Sequence, residues 1–176
     1  MSGSFDLEAE IRDLAARRDI HKAVCNYMRG QDRLQPAIQR KAFHDDALVD
    51  CGLFAGAPDA YVEFAQGFLA KLESSQHLIG QVDIEVDRDV AYGEVYFLAW
   101  HRVSEGGEPK DLIVCGRYVD EYARRDGEWR IAKRREIIDW ARTDPAADGF
   151  IREFKQLHLA GRHGKDFSET RAWPGE

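Results

Sequence analysis

Apolar residues recur along this chain at helical spacing first and at strand spacing afterwards. Over Asp6 to Arg17, residues Leu7, Ile11, Leu14 and Ala15 fall on one face of a short helix. Asp19 suits the N-cap of a second helical run, IHKAVCNYMRG, with Ile20, Ala23, Val24 and Tyr27 as its buried stripe and Gly30 as its stop. Pro36 opens a short helix reaching Phe43. After the polar corner His44-Asp45-Asp46, Ala47 to Phe54 reads as a first strand. Gly56-Ala57-Pro58-Asp59 breaks it and begins a helix that packs through Tyr61, Phe64, Ala65, Phe68, Leu69 and Leu72.

Beyond that point the period falls to two. His77 to Val86 and Val90 to Arg102 form strands on either side of an Arg88-Asp89 turn, and Gly106-Gly107 leads into a third run. Asp111 to Trp140 is a hairpin about Asp126-Gly127, a pair suited to positive φ. Counting from that turn, Arg125 opposes Glu128, Tyr122 opposes Ile131 and Tyr118 opposes Arg135. Alternation places Tyr118, Tyr122, Trp129, Ile131 and Ile137 on one face, and Cys115, Val119, Ala123, Ala132, Ile138 and Trp140 on the other. Both faces are apolar enough to be covered. The hairpin nevertheless carries Asp120, Lys133, Arg134 and Arg135 in its middle, and a buried charge there needs a partner. Arg142 to Gly149 reads as loop, Phe150 to Leu159 as one short amphipathic helix, and the remaining tail as irregular.

Helices followed by strands on short turns indicate an α+β domain, with helices on a curved, mostly antiparallel sheet whose hollow suits a small molecule. The expected division is a domain over residues 1–144 and a C-terminal extension, 145–176, that packs on or closes the pocket. A formal charge of -7 argues against nucleic acid or an anionic membrane as a main partner. Three widely spaced cysteines, Cys25, Cys51 and Cys115, lie in apolar runs with no zinc-ligand spacing, so they read as small buried hydrophobes in a reducing compartment. The N-terminus has no apolar signal-like core and no run approaches a membrane span, which points to a cytoplasmic protein.

The candidate chemistry is sparse. Asp32, just past a helix end, is either a turn aspartate paired with Arg33 or a buried carboxylate able to orient a histidine. His77 is either a half-buried strand histidine or a general base, on the face it shares with Ile79. Arg134 and Arg135 alternate, and simple counting puts Arg135 with Tyr118; a bulge near Lys133 would exchange them. Tyr27, Tyr118, Tyr122, Trp100 and Phe97 are core or pocket aromatics. The other histidines show no metal-ligand spacing, and no phosphate loop or nucleophile elbow is present.

Taken in order, Tyr27-x-x-x-x-Asp32-Arg33, Phe43-x-Asp45-Asp46-Ala47, Gly52, Gly56, His77 and the stretch from Gly116 through Tyr118, Asp120, Tyr122 and Asp126-Gly127 to Trp129 and Ile131 form a pattern. It resembles the SnoaL-like branch of the nuclear transport factor 2-like superfamily, particularly the hexachlorocyclohexane dehydrochlorinases, scytalone dehydratases and bile acid 7α-dehydratases. The resemblance implies a cone-shaped, cystatin-like fold and cofactor-free elimination from a small hydrophobic cyclic substrate. It carries the catalytic Asp onto Asp32, the His onto His77 and the Arg onto Arg134, with Tyr27 and Tyr118 as substrate-binding tyrosines. The dehydratase tyrosine of the first strand has no counterpart, since Cys51 and Phe54 occupy that region. Apolar surface on a curved sheet points to a homodimer or homotrimer, the histidine spacing disfavours a metal, and the elimination that the resemblance implies needs no cofactor. A non-catalytic binding or scaffold domain and a ketosteroid-type isomerase or cyclase are the alternatives on the same fold.

Overall fold

The computed structural model describes residues 5–173. One helix, α1 (Leu7–Asp32), takes up both of the helical runs anticipated near the N-terminus. Asp6 caps it, accepting hydrogen bonds from the N–H groups of Glu8 and Ala9, each at 3.1 Å. The expected break at Asp19 does not occur, because no glycine or proline interrupts the run and Asp19 pairs sideways with Arg18 at 2.8 Å. Gly30 is not a stop either. It lies inside the helix where α2 (Pro36–Arg40) crosses it, and a Cβ there would stand 2.4 Å from the backbone nitrogen of Gln39. Glycine is used here for its lack of bulk, not for its conformational freedom.

The first strand, β1 (Phe43–Asp50), begins earlier than anticipated and ends before Phe54. The short β2 (Ala55–Gly56) precedes α3 (Pro58–Leu69), whose proline occupies the first turn. Four long strands follow: β3 (Ser74–Asp87), β4 (Val90–Glu105), β5 (Glu108–Arg125) and β6 (Glu128–Pro145). They form a six-stranded sheet in the order β2-β1-β6-β5-β4-β3. Neighbours are antiparallel except β1 and β6, which run parallel. The anticipated loop from Arg142 is strand as far as Pro145. The expected helix over Phe150 to Leu159 is only α4 (Gly149–Glu153), and the tail holds one further turn, α5 (Phe167–Thr170), with a capping box on Asp166.

The β5–β6 hairpin turns at Asp126 and Gly127, both at positive φ (53° and 82°), with Arg125 opposite Glu128 and Tyr122 opposite Ile131. Tyr118, however, faces Glu136, not Arg135. Glu121 pairs with Lys133 and Tyr122 with Ile131, so Ala132 is an extra residue on β6. That bulge reverses the parity of everything after it. Arg134 turns inward, Arg135 outward, and Ile137 moves to the outer face while Ile138 moves to the inner one. A second shift opposite Cys115 and Gly116 leaves Asp139 unpaired and returns Trp140 to the outer face.

Helices α1 and α3 cover one face of this sheet, where Ile20, Val24, Tyr27, Tyr61, Val95, Tyr122 and Ile131 make the core. Among the described residues much of the opposite face is open, with Leu78, Leu98 and Trp140 exposed and only its Arg102 end closed by Asp148, so the hairpin is covered chiefly on one side instead of two.

Candidate active site

Two elements meet at the wide end of the cone. The last residue of α1 is Asp32, and His77 lies near the start of β3. Asp32 accepts the backbone N–H of His77 on Oδ2 at 3.1 Å and lies 2.7 Å from His77 Nδ1 through Oδ1. The side chains are 13% and 5% exposed. A carboxylate only accepts, so Nδ1 carries the hydrogen, and in the neutral ring Nε2 is then the nitrogen with the free lone pair. The double contact to one residue fixes both the position and the rotation of the ring. Arg33 does not compete for Asp32; its Nε faces Asp166 at 3.5 Å.

His77 lies on the wall of a cavity of about 390 Å³, together with Phe64, Phe68, Phe97, Leu112, Val114 and Tyr118. Tyr118 stacks on Phe97 with ring centroids 4.5 Å apart. Tyr27 stands one layer behind the wall, fully buried, with its hydroxyl bonded to that of Tyr61. Burial raises the Tyr27 hydroxyl to about 12.

Arg134 also lies behind the wall. Its Cζ is 4.3 Å from the ring of Tyr27 and 4.0 Å from that of Tyr118. Nε and Nη2 donate to the two oxygens of Asp120 at 2.8 and 2.6 Å, and Tyr122 donates to the same carboxylate at 2.7 Å. Nη1 has no hydrogen-bond partner among the described residues. The charges in the middle of the hairpin are thus accounted for: Asp120 with Arg134 inside, Lys133 with Glu121 and Arg135 with Asp50 outside.

Two lining residues were missed on the sequence. His101 is buried, its ring centroid 5.3 Å from that of His77, and its Nδ1 has no partner. Burial, reinforced by the neighbouring His77, lowers its pKa to about 4, so it is neutral at pH 7. Its parity with Phe97 and Ala99 was the available signal. Glu136 also lines the cavity, and burial pushes its carboxyl above the usual range. Strict alternation from the turn would put it on the outer face, and the bulge at Ala132 brings it inward.

The described part of the C-terminal segment docks beside this site, and none of its residues lines the cavity. Arg162 donates to the carbonyls of Leu69 and Leu72 and to Ser75 Oγ, and the N–H of His163 bonds the carbonyl of Arg33. Asp166 accepts from Ser168 and from Gly161, which holds its carboxyl far below the ordinary range. The cysteines are free and only half-buried, with Cys51 on the cavity wall. Among the described residues no group of three or more His, Cys, Asp or Glu has metal-holding geometry, and no helix is long and apolar enough to cross a membrane.

An oriented imidazole with a free lone pair, set in an apolar hollow, is equipped to take a proton from carbon. Residues 12–135 match the model of the SnoaL-like domain family. Among solved structures, the chain is similar to a hexachlorocyclohexane dehydrochlorinase (LinA, type 2), with 22% identity and a TM-score of 0.70 over 86% of this chain and 97% of that one. It is also similar to a putative scytalone dehydratase from Novosphingobium aromaticivorans, with 22% identity and a TM-score of 0.66 over 87% and 96% of the two chains. The protein Kfla4162 from Kribbella flavida shares 16% identity and a TM-score of 0.67 over 74% of this chain and 95% of its own. No curated protein matches the chain.

Proposed function

The chain belongs to the SnoaL-like domain family, and on that premise we propose that it is a cofactor-independent lyase, a dehydratase or dehydrohalogenase acting on a small hydrophobic cyclic molecule. The observation that carries this reading is the Asp32–His77 contact at 2.7 Å on the wall of the apolar cavity. His77 Nε2 takes a proton from the carbon next to the one bearing the leaving group. The C–H electron pair becomes the new double bond, and the bond to hydroxide or halide breaks. Asp32 holds the Nδ1–H tautomer and stabilises the imidazolium as it forms. A cavity poor in water strengthens that interaction, because the effective dielectric constant is low.

Tyr118 supplies an aromatic wall and a hydroxyl to the substrate. Tyr27 and Arg134 act from the layer behind: the guanidinium holds both rings and places positive charge beneath the cavity, where negative charge develops on the leaving group. The cone over residues 1–144 carries the whole dyad, and the extension from 145 secures the end of α1 that bears Asp32. The assembly is a homodimer or homotrimer.

The test uses β-hydroxy and β-chloro cyclohexanones and their bicyclic analogues, whose α-hydrogens are acidic enough for imidazole. The wild type should form the unsaturated ketone, and His77→Ala and Asp32→Ala should each lose about 10²–10⁴-fold in rate with the fold intact by circular dichroism. Undiminished turnover in either variant removes the assignment. Deuterium uptake from solvent without loss of water or chloride would assign an isomerase instead.

A further inference from the structure

Glu136 is the one carboxyl of the cavity that nothing in the reaction so far uses. It projects from β6 into the same hollow that His77 reaches from β3. Strands β4 and β5 lie between them. The two strands lie roughly 14 Å apart at about 4.8 Å per step; His77 is level with Ala141 across the ladder, so Glu136 sits further along β6, and the curved sheet aims both side chains inward. No hydrogen-bond donor and no cation within ion-pair distance contacts the Glu136 carboxyl among the described residues. Arg134, two residues away, directs both of its engaged nitrogens to Asp120. The Glu136 carboxyl is half-buried on the cavity wall, open to whatever fills the hollow and without an internal partner, which leaves it placed to meet a ligand.

Resting on the eliminase reading above, we propose that Glu136 is a further catalytic residue, the general acid that protonates a departing oxygen, and that the substrates are therefore hydrophobic cyclic β-hydroxy ketones in preference to halides. Chloride is stable as an anion and departs without a proton. Hydroxide is a poor leaving group at neutral pH, and an acid on the far side of the substrate from the base removes that obstacle. The step balances. His77 Nε2 gains the carbon-bound proton, the C–H pair forms the C=C bond, the C–O bond breaks, and Glu136 gives its proton to that oxygen, releasing water. Solvent then returns a proton to Glu136 and removes one from His77.

The charged groups that bear on the protonation of Glu136 are Arg134 on β6 and His77 on β3; Tyr118 on β5, Tyr27 on α1, Tyr61 on α3 and Cys51 after β1 face it as neutral groups whose own protons its charge helps retain. Desolvation outweighs the attraction of Arg134 and His77, so the carboxyl keeps its proton above the pH at which free glutamate loses it. Elimination of water should consequently fall as pH rises through that raised pKa, whereas elimination of chloride from the matched ketone should lack this limb.

Glu136→Gln is the test, with the same pair of β-hydroxy and β-chloro ketones. It should lower the ratio of water loss to chloride loss by about 10²–10³-fold and abolish the alkaline limb, and Glu136→Asp should restore part of the ratio. Infrared difference spectra between wild type and Glu136→Gln should show an un-ionised carboxyl at a pH where free glutamate is ionised. An unchanged ratio, or an ionised Glu136 in those spectra, overturns the inference while leaving the His77 reading standing. Loss of neither water nor chloride by the wild type overturns both.

Discussion

His101 shows how one buried side chain couples this fold to pH. Held neutral in the cavity wall, it protonates in the folded chain only near pH 4, against 6.5 for a free imidazole. Between those values the unfolded chain binds the extra proton, so its contribution to stability is complete above about 6.5 and drains away as pH falls toward about 4. The full effect is roughly 3 kcal/mol. Urea titrations from pH 7 down to 4.5 should show the wild-type midpoint falling more steeply than that of His101→Leu, which removes the titration. Asp120 offers a second expectation. With both its side chain and that of Arg134 no more than 1% exposed, Asp120→Ala would strand a cation between Tyr27 and Tyr118. Chemical denaturation should record a loss of about 3–5 kcal/mol.

Among the elements, α1 has the most to do, because its final residue is Asp32 and its length decides where that carboxylate arrives. Gly30 lets α2 pass over the last turn, with a would-be Cβ 2.7 Å from both Cα and Cβ of Gln39. Alanine is the better helix former by about 1 kcal/mol, so propensity alone predicts a gain. The steric contact predicts the reverse. Gly30→Ala should destabilise by about 1–3 kcal/mol in thermal or urea unfolding and displace Asp32 from His77, lowering elimination as well. β6 makes the complementary point: the extra residue Ala132 is what carries Arg134 into the core and Glu136 into the cavity. A bulge beside a site re-aims side chains that strict alternation would send to solvent.

On the scale of the whole molecule, the feature that asks for a partner is the outer face of the sheet. Leu78, Leu98, Cys115 and Trp140 lie in one row across β3, β4, β5 and β6, with Leu78, Leu98 and Trp140 at 52%, 37% and 50% exposure. A row of this kind on the outer face of a sheet suits burial against another copy. Sedimentation velocity should show the proposed dimer or trimer for the wild type, and Trp140→Glu should shift it to monomer with the circular dichroism spectrum retained. A monomeric wild type would rule out that assembly.

Much of this was legible in the chain itself. Helices preceding strands, the Asp126-Gly127 turn, the Pro58 helix start and the alternation through β4 all rest on interactions within a few residues, which local spacing records. The motif order was sufficient to identify the family, and it marked Asp32 and His77 as residues of interest. Other features depended on contacts the one-dimensional pattern does not contain. Asp32 and His77 are 45 positions apart, and only the packing of α1 on β3 brings them to 2.7 Å. The use of Gly30 inside α1 depends on α2 lying over that turn. Side-chain direction along β6 was decided by two inserted residues, Ala132 and Asp139, because parity propagates unchanged until a strand slips against its neighbour, and each slip is a property of the pair, not of either strand alone.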